Sequence, residues 1–209
     1  MKNTIKSVAL LLVFAFVLGS AGCAKKELNR LNFISAVESY GVEKTDEMGT
    51  LTSLINRRGG KDGYYAAADK DEAEKNSNIF LDRFDTFPDI KTTDFILAAV
   101  VEQGSDNRPY PSFVCYMTFD SAATARDAYD TLVDKYGDTE DGKTGTSSGV
   151  TYCIVSDESA AGSNKIGSGV YLQGNTVIYL RAQCAAKDKY KFADTICGKL
   201  GLPSPSKAG

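Results

Sequence analysis

Apolar positions along this chain recur with two periods, near 3.6 and at two, in blocks that divide it into helices and strands. Leu28, Leu31, Ile34 (or Phe33), Val37 and Tyr40 follow a helical stripe over 27–40, with Gly41 as its stop. Met48, Leu51, Leu54 and Ile55 suggest a shorter helix over 46–56. The segment 63–68 (GYYAAA) predicts a strand, and 71–84 a helix with Ala73, Ile79, Phe80 and Phe84 inward. The run 95–102 (FILAAVVE) is apolar on both faces, as a central strand must be. In 112–119, Phe113, Cys115, Met117 and Phe119 alternate with their neighbours and share one face of a strand.

The clearest helical pattern spans 121–136, with Asp120 as N-cap and Ala125, Ala128, Tyr129, Leu132 and Val133 inward. Polar loops are expected over 137–149 and 157–167, with a strand at 150–156 between them. Strands at 169–172 and 177–183 flank Gly174-Asn175, a hairpin turn signal. A last helix, 187–200, presents Phe192, Ala193, Ile196, Cys197 and Leu200 to a core and ends at Gly201. Many strands interleaved with few helices predict an α+β layered sandwich around a mostly antiparallel sheet. The helix endings at Ala36-Val37 and Ile196-Cys197 echo one another, which leaves open two ferredoxin-like halves, 27–105 and 110–203, inside one globular domain of 27–203. Residues 204–209 read as a flexible tail.

The N-terminal pattern is of another kind. Lys2 and Lys6 precede an uninterrupted apolar run from Val8 to Leu18, too short for a bilayer span of roughly 20 residues. Small residues Gly19 to Gly22 follow, then Cys23. This is the layout of a cleaved export signal, 1–22. The stretch LGSAGC resembles the lipobox of bacterial lipoproteins, matching at Ala21, Gly22 and Cys23 and departing at Ser20, where the family prefers Leu. The resemblance implies cleavage before Cys23, a diacylglycerol on its thiol, and a protein held at the extracytoplasmic face of the cell membrane. Plain secretion after Gly22 and an uncleaved anchor are the alternatives. Each buried methylene contributes about 0.8 kcal/mol and a single chain binds marginally, so two or three acyl chains on Cys23 make a durable anchor. Residues 23–26 then form a very short lipidated tether.

Composition narrows the function. The formal charge of −3 becomes more negative once Lys2 and Lys6 leave, which argues against nucleic acid as a partner. The chain has no histidine, so Ser-His and Cys-His mechanisms are excluded. It has no tryptophan to stack sugars, though 11 tyrosines can partly substitute. Cys115, Cys153, Cys184 and Cys197 contain no C-x-x-C pair, so no metal or other cofactor is expected. They read either as free buried thiols or as a disulfide framework. If one pair forms, Cys184 with Cys197 is favoured, because both fall on expected core faces.

Three short motifs match without their context. Gly137 to Thr144 satisfies the phosphate-loop pattern, but a helix precedes it and Asp138, Glu140 and Asp141 would crowd the phosphates. Gly145 to Gly149 satisfies G-x-S-x-G without a histidine base. Ser105-Asp106-Asn107 and Lys143-Thr144-Gly145 resemble two elements of penicillin-binding proteins and β-lactamases, but the S-x-x-K at Ser204 stands in the wrong order. The acidic loop offers oxygens to calcium without EF-hand spacing. The segment 107–111, with an exposed Arg108 and Tyr110, is a candidate binding loop.

No catalytic residues are assigned. The reading is a non-enzymatic binding or accessory module of the cell envelope, with an unidentified protein or ligand as partner. The alternatives are an envelope hydrolase or transferase using carboxylates such as Asp85 or Glu102, and a purely structural lipoprotein.

Overall fold

The structure is a computed structural model and describes residues 26–49, 51, 63–69, 71–82, 91–136, 142–158 and 162–208. In chain order the elements are α1 (Arg30–Glu38), β1 (Glu43–Lys44), β2 (Gly63–Asp69), α2 (Asp71–Asp82), β3 (Thr92–Gln103), β4 (Pro109–Phe119), α3 (Ala122–Tyr136), β5 (Lys143–Ser147), β6 (Val150–Glu158), β7 (Asn164–Gln173), β8 (Thr176–Ala185) and α4 (Lys191–Leu200), followed by a 3-10 turn, Pro205–Lys207. The strands form one eight-stranded sheet in the order β1-β2-β3-β4-β8-β7-β6-β5. All pairs are antiparallel except β1 with β2. The expected α+β layered sandwich is the observed class.

Both faces of the sheet are covered, and the strand pleat sorts the core between them. On one face Ile96, Ala98, Val114, Tyr116, Ile178, Leu180 and Tyr171 pack with Phe33, Val37, Phe192, Ile196 and Leu200 of α1 and α4. On the other, Phe95, Leu97, Phe113, Met117, Val177 and Tyr179 pack with Ala73, Ala125, Tyr129 and Leu132 of α2 and α3. The alternation read in 112–119 and the inward residues of α4 are all buried as expected.

Among the described residues, the halves do not each repeat a ferredoxin-like β-α-β-β-α-β order. After α3, strands β5 to β8 pair consecutively as a meander, and two-residue turns join β5 to β6 and β7 to β8. The β7–β8 turn is Gly174-Asn175, with Gly174 at φ 60°. The β5–β6 turn is Ser148-Gly149, both at positive φ, the geometry that matches strand twist. The loop expected over 137–149 thus contains edge strand β5, a short polar piece paired to β6. Short, charged edges of this kind resist further pairing.

Four local expectations shift. Leu31 is 77% exposed and Ile79 is 46% exposed. In α1 the buried stripe is Phe33, Ala36 and Val37, and in α2 Ser77 turns inward, its hydroxyl 2.8 Å from that of Thr92. Ser121 caps α3 by accepting from Thr124 N (3.1 Å), while Asp120 accepts from the Thr124 hydroxyl (2.9 Å). Residues 204–208 are not a loose tail. Ser204 and Ser206 donate hydroxyl hydrogen bonds to Asp194, and Pro205 is buried. The helix expected over 46–56 lies mostly outside the described residues.

A close approach explains how the C-terminal segment docks. Tyr171 lies back over Gly169, where a Cβ would come within 2.3 Å of its hydroxyl. That hydroxyl donates to the Pro203 carbonyl at 2.7 Å. Only glycine at 169 leaves room for the ring, so one small residue on β7 lets a tyrosine clamp the chain after α4.

Candidate functional site

The end of the sheet where β2 begins and β3 finishes carries a cleft of about 410 Å³. Tyr40, Gly41, Val42, Gly63, Val100 to Gln103 and Lys191 line it. Helix α1 delivers Tyr40 there, its ring meeting Phe192 edge-on at 5.2 Å between centroids. The Tyr40 hydroxyl donates to Glu102 Oε1 at 2.5 Å, across 62 residues of sequence. Burial, then this bond, push the Tyr40 hydroxyl well above its ordinary pKa. Lys191 enters from the first turn of α4.

Two more tyrosine–carboxylate pairs surround this end. Tyr65 donates to Glu38 at 2.7 Å, and burial followed by that bond raises it to about 12. Tyr110 donates to Asp106 at 2.7 Å, a bond that, with burial, raises it to about 12 and holds Asp106 below its usual value. Asp188 accepts from Ser105 N at 2.8 Å, and bonds with Ser105 hold it low as well. These phenols stay protonated at neutral pH and keep donating. Each carboxylate retains lone pairs for a further donor. The cleft thus offers an oriented acceptor, Glu102, beside a lysine cation, suited to a polar ligand bearing donors and a negative or carbonyl group.

The candidate binding loop takes a different form from the one expected. Arg108 is exposed and 3.7 Å from Asp106, an ion pair of small worth in water. Tyr110 is only 6% exposed, because Asp106 draws its hydroxyl inward over Gly104. Ser105-Asp106-Asn107 is the turn of the β3–β4 hairpin, closed by Gly104 N to Arg108 O at 2.8 Å.

A second cleft of about 490 Å³ lies between α4, β5, β6 and the C-terminal segment, with Lys143, Ser147, Tyr152, Cys197 and Lys207 among its lining. Lys143 and Thr144 sit on a strand, so no helix start follows the phosphate-loop pattern, and Ser147 simply precedes a hairpin turn. Cys197 is buried, and burial raises its thiol to about 12, so it is a poor nucleophile. The four cysteines described are free. Cys184 and Cys197 share one core cluster without a bond between them. Cys184 Sγ donates to Asp188 O at 3.7 Å, and Cys197 Sγ lies 3.4 Å from the Tyr171 hydroxyl.

Cys23, Asp85, Asp138, Glu140 and Asp141 lie outside the described residues. Among the described residues, no three acidic or thiol groups gather as a metal-ligand set, and no helix is long and apolar enough to cross a membrane. The sequence pointed to Glu102 only as a carboxylate of the hydrolase or transferase alternative, and to Tyr40 only as core. Lys191 carried no signal, since the three converge only once β3, α1 and α4 meet.

No family model matches the chain, and no curated protein matches it. Among solved structures, it is similar to the extracellular domain of PknH from Mycobacterium tuberculosis, at 13% identity and a TM-score of 0.41, over 78% of this chain and 91% of that one.

Proposed function

We propose that this protein is a bacterial lipoprotein, anchored through lipid on Cys23 at the extracytoplasmic face of the membrane, that acts as a non-enzymatic binding or accessory module of the envelope. The anchor reading rests on the run Val8 to Leu18 followed by LGSAGC. The binding reading rests on one observation: Tyr40, Glu102 and Lys191 line one cleft, with the Tyr40 proton committed to Glu102. A phenol whose pKa is raised is a poor acid at neutral pH, and a carboxylate already holding that phenol's proton suits recognition better than acid–base turnover. Two carboxylates set for an acid and a base would mark the hydrolase alternative.

Two experiments test this. Metabolic labelling with a fatty-acid analogue should mark the wild type and fail on Cys23→Ala; equal labelling defeats the anchor. Envelope components captured from detergent-solubilised membranes should be retained by the wild type and lost from a Glu102→Ala, Lys191→Ala double variant. Identical capture by both defeats the cleft as the binding site.

A further inference from the structure

The chain enters the fold at one end of the sheet, and three contacts hold it there. Lys26 Nζ donates to the Lys199 carbonyl in the last turn of α4. Gln173 Nε2 donates to the Lys26 carbonyl at 3.4 Å, and Leu28 N donates to Gln173 Oε1 at 2.6 Å. Gln173 is the last residue of β7, beside the Gly174-Asn175 turn.

Strand register shows what else shares that end. Thr118 pairs with Thr176, Thr92 with Phe119, and Thr151 with Leu172. The start of α3, the Ser148-Gly149 turn, the C-terminus of α4 and the N-terminus of α1 therefore all lie near Lys26. The β3–β4 hairpin at Gln103–Pro109, the start of α4 and the Tyr40–Glu102–Lys191 cleft lie at the other end. Ten-residue strands such as β7 separate the two by about 30 Å.

Only three residue steps join Cys23 to Lys26. At about 3.3–3.6 Å per step, the lipidated residue stays within about 11 Å of Lys26. That reach is about a third of the strand length, so the far end cannot be brought down to the lipid by slack in the tether. Leu31 supplies an independent sign. It is 77% exposed in the first turn of α1, and helical side chains lean toward the N-terminus, here toward the Lys26 end. An exposed leucine on the first turn of α1, five residues after the exposed Lys26, at the end of the sheet that also carries the Lys26–Lys199 contact, has the apolar and cationic chemistry of an interfacial contact.

Resting on the lipidation of Cys23, we propose that the Lys26 end is a membrane-docking surface, with Leu31 at the boundary of lipid headgroups and acyl chains and the Tyr40–Glu102–Lys191 cleft turned about 30 Å away toward the envelope space.

The test uses the full-length protein purified from membranes and reconstituted in phosphatidylethanolamine–phosphatidylglycerol vesicles that carry headgroup nitroxides. Single cysteines are placed at exposed sites, Leu31→Cys and Ala123→Cys near the tether, and Ser105→Cys and Lys187→Cys at the cleft end. A fluorescent maleimide reacts with these in preference to the four buried thiols. Quenching should be several-fold greater at 31 than at 105 or 187, with 123 following 31. Equal quenching at all four, or greater quenching at 105, overturns the orientation. Shielding of position 31 only at high protein-to-lipid ratio assigns the leucine to a second copy and overturns the docking surface. Intact mass separates the two readings: acyl mass with equal quenching defeats the orientation alone, whereas its absence defeats the lipoprotein reading and the orientation with it.

Discussion

The two faces of the sheet are closed by different means. The α2/α3 face is sealed by apolar side chains, and the contact of Ser77 with Thr92 beneath it joins residues only 15 apart. The α1/α4 face is also apolar at its centre, but polar clamps fasten its rim. Tyr171 holds Pro203, Asp194 takes two serine hydroxyls from the C-terminal segment, Tyr190 lies 3.0 Å from Ser156, and Arg30 pairs with Asp94. Apolar cover needs only volume, whereas a clamp needs a particular partner. The α1/α4 face should therefore tolerate repacking less at its rim than at its middle.

That contrast can be broken by mutation, starting at the largest effect. Phe192→Ala, fully buried on the α1/α4 face, should lower unfolding free energy by about 3–5 kcal/mol in urea titration. Truncation after Leu202 should cost roughly 2–4 kcal/mol, combining an unsatisfied Tyr171 hydroxyl with lost cover from Pro205. A cost near zero would show that the C-terminal segment is ornamental. Tyr171→Phe isolates the clamp itself and should cost about 1 kcal/mol. Asn29→Ala removes the N-cap of α1, where Asn29 Oδ1 accepts from Asn32 N at 2.9 Å, and should also cost about 1 kcal/mol by thermal denaturation.

The smallest effect lies outside both faces, in the β3–β4 hairpin. Asp106 is held below 3.8 by the Tyr110 hydrogen bond, so its contribution is present above that value and fades as pH falls through the lower folded value. The melting temperature of the wild type should exceed that of Asp106→Asn at pH 5, and the gap should close on acidification below 3.8. A gap that widens would contradict the assignment.

The same contrast explains what could be read from sequence. In α3 and α4 the apolar residues gather on one stripe, so periodicity located both helices and their inward residues. In α1, Leu31, Phe33, Ile34, Ala36 and Val37 are spread around the helix, and only the sheet beneath decides that Phe33 turns in and Leu31 out. Strand alternation fixed the faces of β4 for the same reason that it missed β5, whose residues KTGTS are polar on both sides. The clamps were invisible because each joins residues ten or more positions apart through a single polar group that no periodicity marks. The cleft was invisible likewise: Glu102 marks the end of an apolar strand, and nothing in the chain pairs it with Tyr40.

The four enclosed sulfurs carry a last consequence. Cys115, Cys153, Cys184 and Cys197 are shielded within the core, and burial raises each thiol above its ordinary pKa. An alkylating reagent can reach them only when part of the body opens. Each sulfur is therefore a built-in chronometer: Cys115 and Cys153 time the parting of one side of the sheet, Cys184 and Cys197 the other.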